Sequence, residues 1–303
     1  PTFLFLRKYF EMNILVTGAS GNIGSELIKN LSKIENDMEV MAGDFDVKRA
    51  RNTLAEYSNL SFRQLDFNNS ATFDKALEGI DIIFLLRPPQ LADIEKYFRP
   101  FLCKAKEKGI HRVMFLSVQG VENQKFIPHY KLEKLIIKLG FNYIFLRPGY
   151  FMQNLTTTLL YDIKYNDRIY IPAGELKLNW VDAADIGKVG ARLLMTFDQY
   201  KNQPFEITGN EFKGFDEVAD MMTRQLNRKI SYESPNLFSF YREKTKQGIS
   251  RPMIFVMIML HFLPRFKKNK SRLTTIVRDI TGDEPNTLIE FITNESTTLT
   301  TDN

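Results

Sequence analysis

The chain has 303 residues, 44% of them hydrophobic, enough to bury a sizeable core in one large domain or in a domain and a half. Its 41 basic and 36 acidic residues leave a formal charge of +5, and the cations are spread along the chain, so no nucleic-acid partner is expected. The single Cys103 excludes an internal disulfide framework and a cysteine zinc cluster, and His111, His129 and His261 lack metal-ligand spacing; no metal and a cytoplasmic setting are expected.

The leading "PTFLFLRKYFE" is apolar but too short to span a bilayer, and it lacks the cleavage pattern of a signal peptide. Met12 opens the first strand and reads as the natural start, with residues 1–11 an upstream extension or a non-native remnant. Apolar runs at 13–17, 38–43, 60–67, 81–86, 111–117 and 142–148 then read as strands. Between them Ile23–Ile34, Val47–Tyr57, Ala71–Leu77, Leu91–Lys108 and Tyr130–Leu139 have helical periodicity. Gly79, Gly109 and Gly140 stand where such helices stop. This alternation predicts a doubly wound, Rossmann-like α/β fold with a parallel sheet.

Past residue 150 the rhythm loosens. "LNWVDAADIGKVGARLLM" predicts a strand and then a helix capped by Asp182 or Asp185. "PFEITG" predicts a strand, "GFDEVADMMTRQLNRKISYES" a helix and a strand, and "TLIEFITNE" a helix, with "STTLTTDN" frayed at the end. The apolar "MIFVMIMLHFL" (253–263) is expected to be a buried helix. A lid over an apolar pocket, or a membrane-surface contact helped by the basic "RFKKNKSR", is the alternative. The expected organisation is a dinucleotide-binding domain over 12–155, completed by 180–210, with 156–179 and 211–303 forming a smaller C-terminal α/β lobe on the substrate side.

"VTGASGNIGSEL" (16–27) places Gly18, Gly21 and Gly24 between the first strand and the first helix. Helix N-termini offer unpaired N–H groups and a positive dipole end, and glycine lets a phosphate approach bare backbone. The spacing is a variant of the dinucleotide fingerprint in its required strand-to-helix context. Asp44, at the end of the second strand, suits the adenosine ribose hydroxyls and would repel a 2′-phosphate, which favours NAD(H) over NADP(H). Lys48, Arg49 and Arg51 follow it, either as solvated helix charges or as holders of that phosphate.

Together "TGASGNIG", "LDF" (65–67), "FLLRPP" (84–89), "FLSVQG" (115–120), "FNYIFLRPGYFMQNL" (141–155) and "WVDAADIGKVGARLL" (180–194) resemble the NmrA-like branch of the short-chain dehydrogenase/reductase superfamily. "FEITG…FDEVADMMTRQLNRKISY" and "ITGDEPNTLIEFI" resemble that branch's second lobe, so the likeness runs from about Met12 to Phe291. It implies an NAD(P)H cofactor on Gly18, Ser20, Asn22 and Ile23 at the diphosphate. Asp66 and Phe67 would lie beside the adenine, Leu86, Arg87 and Pro88 at the nicotinamide ribose, and Pro148, Gly149, Tyr150 and Phe151 along the nicotinamide. Arg87 departs from the small or hydroxyl residue expected there; it would contact the diphosphate or an acidic substrate or, as the simplest reading, pair with a nearby carboxylate.

The resemblance also implies a serine, a tyrosine and a lysine four residues later as the proton-donating set, the lysine's charge lowering the phenol pKa from one helical turn away. Ser117, Tyr130 and Lys134 have that spacing. Aligning on the downstream "LRPG" and Glu133 instead moves the expected pair towards Lys125 and His129, which makes His129 a candidate acid or acceptor contact through its near-neutral pKa. A helix-surface role for Tyr130 and Lys134 stays open beside the catalytic one. Tyr150, Phe151, Asn154 and Trp180 are either substrate contacts, aromatics there being able to stack on a flat ring, or residues that fill the seam between the lobes. Two functions follow: an NAD(P)H-dependent oxidoreductase passing hydride to a quinone or related carbonyl acceptor, or a non-catalytic NAD(P)-binding redox sensor and regulator. The expected partner is a small molecule, with no stable membrane insertion and a homodimer compatible with the chain.

Overall fold

A computed structural model of the protein describes residues 12–34, 38–57, 60–266 and 272–301. The extension expected over residues 1–11 lies outside the described residues. Strands β1 (Met12–Thr17), β2 (Met38–Asp44), β3 (Leu60–Gln64), β4 (Ile82–Leu85), β5 (Arg112–Leu116) and β6 (Asn142–Pro148) alternate with helices α1 (Asn22–Leu31), α2 (Val47–Thr53), α3 (Phe73–Ala76), α4 (Ile94–Glu107) and α5 (Pro128–Lys138). The predicted run 60–67 stops pairing at Gln64, and the predicted helix 71–77 begins as a 3-10 turn, Ser70–Thr72, on an Asn69 cap. Gly79, Gly109 and Gly140 have φ of 67°, 80° and 71°, the left-handed geometry that lets a helix end turn back to the sheet.

The remaining elements are β7 (Tyr150–Phe151), α6 (Leu160–Asn166), β8 (Arg168–Tyr170), β9 (Lys177–Val181), α7 (Ala183–Met195), α8 (Phe197–Tyr200), β10 (Gln203–Ile207), β11 (Phe212–Gly214), α9 (Phe215–Gln225), β12 (Ser231–Glu233), α10 (Leu237–Lys246), α11 (Arg251–His261), α12 (Ile276–Thr281), α13 (Leu288–Asn294) and α14 (Ser296–Leu299). The principal sheet has the order β10-β6-β5-β4-β1-β2-β3. Every pairing from β6 across to β3 is parallel. The order reverses beside β1, where doubly wound folds open their ligand crevice at the strands' carboxyl ends. Ile14, Leu15, Val16 and all of β4 are buried, as strands covered on both faces must be.

The chain forms two compact units. The first takes in the described residues of 1–117, 121–146 and 190–205, the second those of 118–120, 147–189 and 206–303. The first unit's core sets Leu15, Ile83, Phe98, Phe101, Phe115 and Phe145 together; the second's is built on Trp180, Phe215, Met222, Phe240, Ile254 and Phe291. Three-stranded β11-β9-β7 and two-stranded β12-β8 lie in the second unit. No helix among the described residues is long and apolar enough to cross a membrane.

Two expectations are corrected. The described part of 296–303 is not frayed: Ser296–Leu299 make a last helical turn, Leu299 is fully buried, and its carbonyl accepts from Arg228 Nη2 at 3.1 Å. An apolar anchor and a guanidinium hold what composition alone reads as a tail. The run 253–263 is indeed helical, but Ile254, Met257 and His261 are buried while Phe255, Met259, Leu260 and Leu263 are exposed. Its uniform hydropathy hides two faces with different surroundings.

Candidate functional site

In the first unit, β1 ends at Thr17, whose hydroxyl accepts from Leu86 N at 2.8 Å and donates to Leu86 O at 3.3 Å. This ties the ends of β1 and β4 side by side. Gly18 then takes φ +58°, and Gly21 N closes a turn onto Gly18 O at 3.0 Å. A side chain at Gly24 would place its Cβ 2.5 Å from Gly18 O and 2.9 Å from Ala19 Cα, so only glycine lets α1 start this close to the loop.

No side chain caps α1 and no acid stands in its first turn. The N–H groups of Asn22, Ile23 and Gly24 have no protein acceptor among the described residues. They form an electropositive cradle of the kind that holds a phosphate. Asp44 is buried and fastens the loop: Oδ2 accepts from Ser20 N at 3.1 Å and Ser20 Oγ at 2.7 Å, while Oδ1 accepts from Asp46 N at 3.2 Å. Its carboxylate therefore shapes the loop. Lys48, Arg49 and Arg51 are exposed, and Arg51 lies over the Phe62 ring at 4.6 Å.

Asp66 Oδ1 accepts from Asn68 N at 2.8 Å, and the Phe67 ring is committed to the core against Phe98 and Phe101. Arg87 corrects the expectation of a carboxylate partner. Its Nη1 clamps the carbonyls of Pro88, Pro89 and Leu91 at 2.9, 3.1 and 3.2 Å, making a rigid loop after β4. Burial lowers this guanidinium's pKa to about 10, and its Nε is buried without a partner among the described residues.

Ser117, at the end of β5, is 1% exposed and its hydroxyl has no hydrogen-bond partner among the described residues. His129 stacks on Phe115, centroids 6.1 Å apart. Burial, and then the Arg87 charge, push its pKa down to about 3, so the imidazole is neutral and suits a contact or N–H donor rather than the near-neutral acid expected. Tyr130 and Lys134 do meet, the ammonium 5.4 Å from the ring centroid, but no hydrogen bond joins them. Both line an open groove of about 530 Å³ with Asp93, Glu95, Arg99, Lys125, Lys131 and Lys138; Ser117, His129 and the glycine loop are absent from its walls. The neighbours His129 and Tyr130 thus serve different surroundings. No cluster of three or more metal-ligating side chains occurs among the described residues.

A sequence model described as the NmrA-like family matches residues 11–263. The chain belongs to the NmrA-like family. It is 30% identical to prestalk A differentiation protein A of Dictyostelium discoideum, covering 93% of this chain and 91% of that protein. It is 28% identical to agroclavine dehydrogenase of Claviceps fusiformis, covering 93% and 96%, and 27% identical to an NAD(P)H azoreductase of Xenophilus azovorans, covering 92% and 96%. In fold it matches triphenylmethane reductase of Citrobacter sp. with TM-score 0.79 and 19% identity over 94% of this chain and 99% of that one. The NADPH-dependent quinone oxidoreductase QOR2 of Escherichia coli in complex with NADPH gives 0.75 and 19% over 93% and 99%. NmrA, a negative transcriptional regulator in complex with NAD, gives 0.68 and 19% over 93% and 94%.

The other candidates of this NmrA-like chain stand in the second unit. Pro148 is buried, and Gly149 is required because a Cβ would meet Asn179 O at 2.5 Å. Tyr150 packs edge-on against Trp180 at 4.8 Å and Phe215 at 5.9 Å, and its hydroxyl lies 2.8 Å from His261 Nε2. His261 Nδ1 is 2.6 Å from Met257 O and must donate there, so Nε2 accepts and Tyr150 O–H donates. Burial raises the phenol and lowers the imidazole to about 4, so this pair is neutral and structural. Trp180 is fully buried with its N–H on Lys213 O at 3.0 Å, so of its two expected roles it takes packing rather than substrate contact. Phe151 and Asn154 are half-buried.

The helix cap over α7 falls to Asp182, whose Oδ1 accepts from Ala184 N at 2.9 Å and from Gln153 Nε2 at 2.7 Å. Asp185 corrects its expected capping role: its Oδ2 accepts from Asn286 N at 2.8 Å. Burial, together with the Asp182 and Glu290 charges, outweighs Asn286 and Lys188 and raises its pKa to about 6. A carboxyl raised in the fold stabilises most below its ordinary pKa, near 4, and loses that contribution as pH rises through about 6. Thermal unfolding at pH 8 is therefore expected to find Asp185→Asn more stable than wild type by roughly 2–3 kcal/mol. The advantage should vanish by about pH 4; a variant destabilised equally at both pH values contradicts the assignment.

Proposed function

We propose that the chain is an NAD(P)H-dependent oxidoreductase that passes hydride to a quinone or related carbonyl acceptor. The observation that carries this reading is the uncapped start of α1 behind a loop in which Gly24 has no room for a side chain. Three unpaired amides at a helix start fit a diphosphate. The dehydrogenase, azoreductase and quinone oxidoreductase named among the chain's relatives and fold neighbours support the reaction class. Asp44 stands where a carboxylate disfavours a 2′-phosphate, so NADH is preferred to NADPH in this proposal.

A nicotinamide cofactor, when bound, supplies the hydride. The chain's own part is to hold and orient: Asn22, Ile23 and Gly24 donate to the diphosphate, Ser20 and Asp44 keep the loop in place, and the Arg87-clamped turn fixes Leu86 and Pro88. A carbonyl that accepts hydride develops negative charge on oxygen, which a preorganised donor stabilises. Ser117 Oγ, buried with no partner among the described residues, and the neutral His129 ring are the donors proposed here. A quinone tolerates the loss of a strong acid because its ring takes hydride readily and water completes protonation.

The second reading, a regulator that senses the nicotinamide pair without turnover, is favoured by one observation: Tyr130 and Lys134 share no hydrogen bond and line a separate groove. The discriminating experiment follows the reduced-nicotinamide absorbance of protein loaded with NADH or NADPH and offered a panel of quinones and aldehydes. Acceptor-dependent loss of the band beyond the protein-free rate, weakened by Ser117→Ala or His129→Ala with cofactor affinity retained, supports the enzyme. A stable band with bound cofactor favours the sensor.

A further inference from the structure

Helix α11 is apolar around its whole circumference, yet only one side is covered. Ile254, Met257 and His261 face the second unit's core, while Phe255, Leu260 and Phe266, the last in the 3-10 turn Leu263–Phe266, are 63%, 56% and 72% exposed. Phe255, Met259 and Leu263 recur at four-residue spacing and form one stripe, headed by Arg251 one turn earlier. Arg265 closes the other end, its guanidinium over the Phe262 and Phe266 rings at 5.3 and 5.8 Å. A helix that is apolar all round is ordinarily enclosed, and an exposed patch of this kind marks a contact surface.

The charges say what kind of surface covers it. From Leu237 to Phe266 the one acidic residue is Glu243, which faces Arg168 at 3.6 Å. Lys244 of the same span is buried on Asp162. The exposed charge is left to Arg242, Lys246, Arg251 and Arg265, and none of these makes an ion pair among the described residues. At about 16 Å the helix is far too short to cross a hydrocarbon core of about 30 Å. Aromatic and aliphatic side chains exposed on one face, with exposed cations before and after them along the chain, are the pattern of a helix lying in the headgroup region of an anionic leaflet. We infer that the exposed face of α11 and the following 3-10 turn docks on an anionic lipid surface. This inference does not depend on the proposed reaction, because none of its residues belongs to the glycine loop or its neighbours.

The test is co-sedimentation of the whole protein with vesicles of phosphatidylcholine alone or with about one third phosphatidylglycerol. Binding to the anionic vesicles is expected to be at least about tenfold stronger and to be largely released at high salt. Phe255→Ser with Leu260→Ser should weaken it at least another tenfold, since each removes an apolar side chain from the contact, while unfolding temperature stays as in wild type. The salt and lipid dependence need no variant, so a misfolded variant does not blunt the test. No binding to either vesicle, or equal binding to both, overturns the inference. So does a wild-type dimer in sedimentation equilibrium that the same double variant converts to monomer, which would give the face to a second copy.

Discussion

Gly24→Ala is expected to cripple cofactor binding while leaving a folded protein. The added methyl would sit 2.5 Å from Gly18 O and 2.9 Å from Ala19 Cα and Ala19 O, all backbone, so the loop or the start of α1 must move. Overpacking of this kind costs roughly 1–3 kcal/mol of stability. The larger effect falls on the amides of Asn22, Ile23 and Gly24, whose aim depends on that close approach. Loss of two charge-assisted hydrogen bonds weakens binding by about 100-fold or more. Gly21→Ala is the matched control: its Cβ meets Gly18 O at 3.2 Å with φ −81°, a tight but ordinary geometry. Titration of NADH, followed by fluorescence of the reduced ring, should show a severe loss for Gly24→Ala and a mild one for Gly21→Ala. Equal affinities in the two variants would contradict the cradle.

Lys244→Met is expected to be the most destabilising single change in the second unit. Lys244 and Asp162 are both buried and ion-paired, and Gln247, Asn166 and Arg168 complete the carboxylate's shell at 3.1, 3.1 and 3.2 Å. Burial alone would raise Asp162, but the Lys244 ammonium and the amides outweigh it and hold its carboxyl below the usual range. Removing one partner of a buried pair costs about 3–5 kcal/mol, because the other charge stays behind without it. The midpoint of thermal unfolding should fall by about 10 °C. Adding Asp162→Asn to Lys244→Met should recover part of the loss, since a neutral amide can still meet Arg168 and Asn166. A single variant within about 1 kcal/mol of wild type would show that the pair contributes nothing beyond a well-packed apolar pair.

Most of the fold was legible in the residues because alternation and glycine placement are local signals. The six apolar runs of the first half became β1–β6 in parallel order, and the glycine loop sits at the start of α1 as its spacing requires. What stayed hidden depends on partners distant in sequence. Asp44 reads as a ribose ligand, but that it also grips Ser20 emerges only when β2 lies beside β1. Likewise Asp162 and Lys244, or Tyr150 and His261, meet across long stretches of chain, and no periodicity announces them. Tyr130 and Lys134 have a spacing that fits a known pair, but spacing could not tell that both line a groove whose walls do not include Ser117 or His129. The cue that could have separated His129 from Tyr130 is the 100° turn between neighbours on a helix, which sends adjacent side chains to different surroundings. For 253–263, hydropathy marked a helix but could not tell a covered face from an open one.

The central claim is that the loop from Gly18 to Gly24 holds the diphosphate of a nicotinamide dinucleotide. It is tested most directly by following the backbone amide resonances of Asn22, Ile23 and Gly24 in the isotopically labelled protein as NADH is added. Those amides have no acceptor among the described residues. They should shift together and saturably, and the shifts should be absent in Gly24→Ala. Saturable NADH binding that moves other resonances and leaves these three in place would contradict the account.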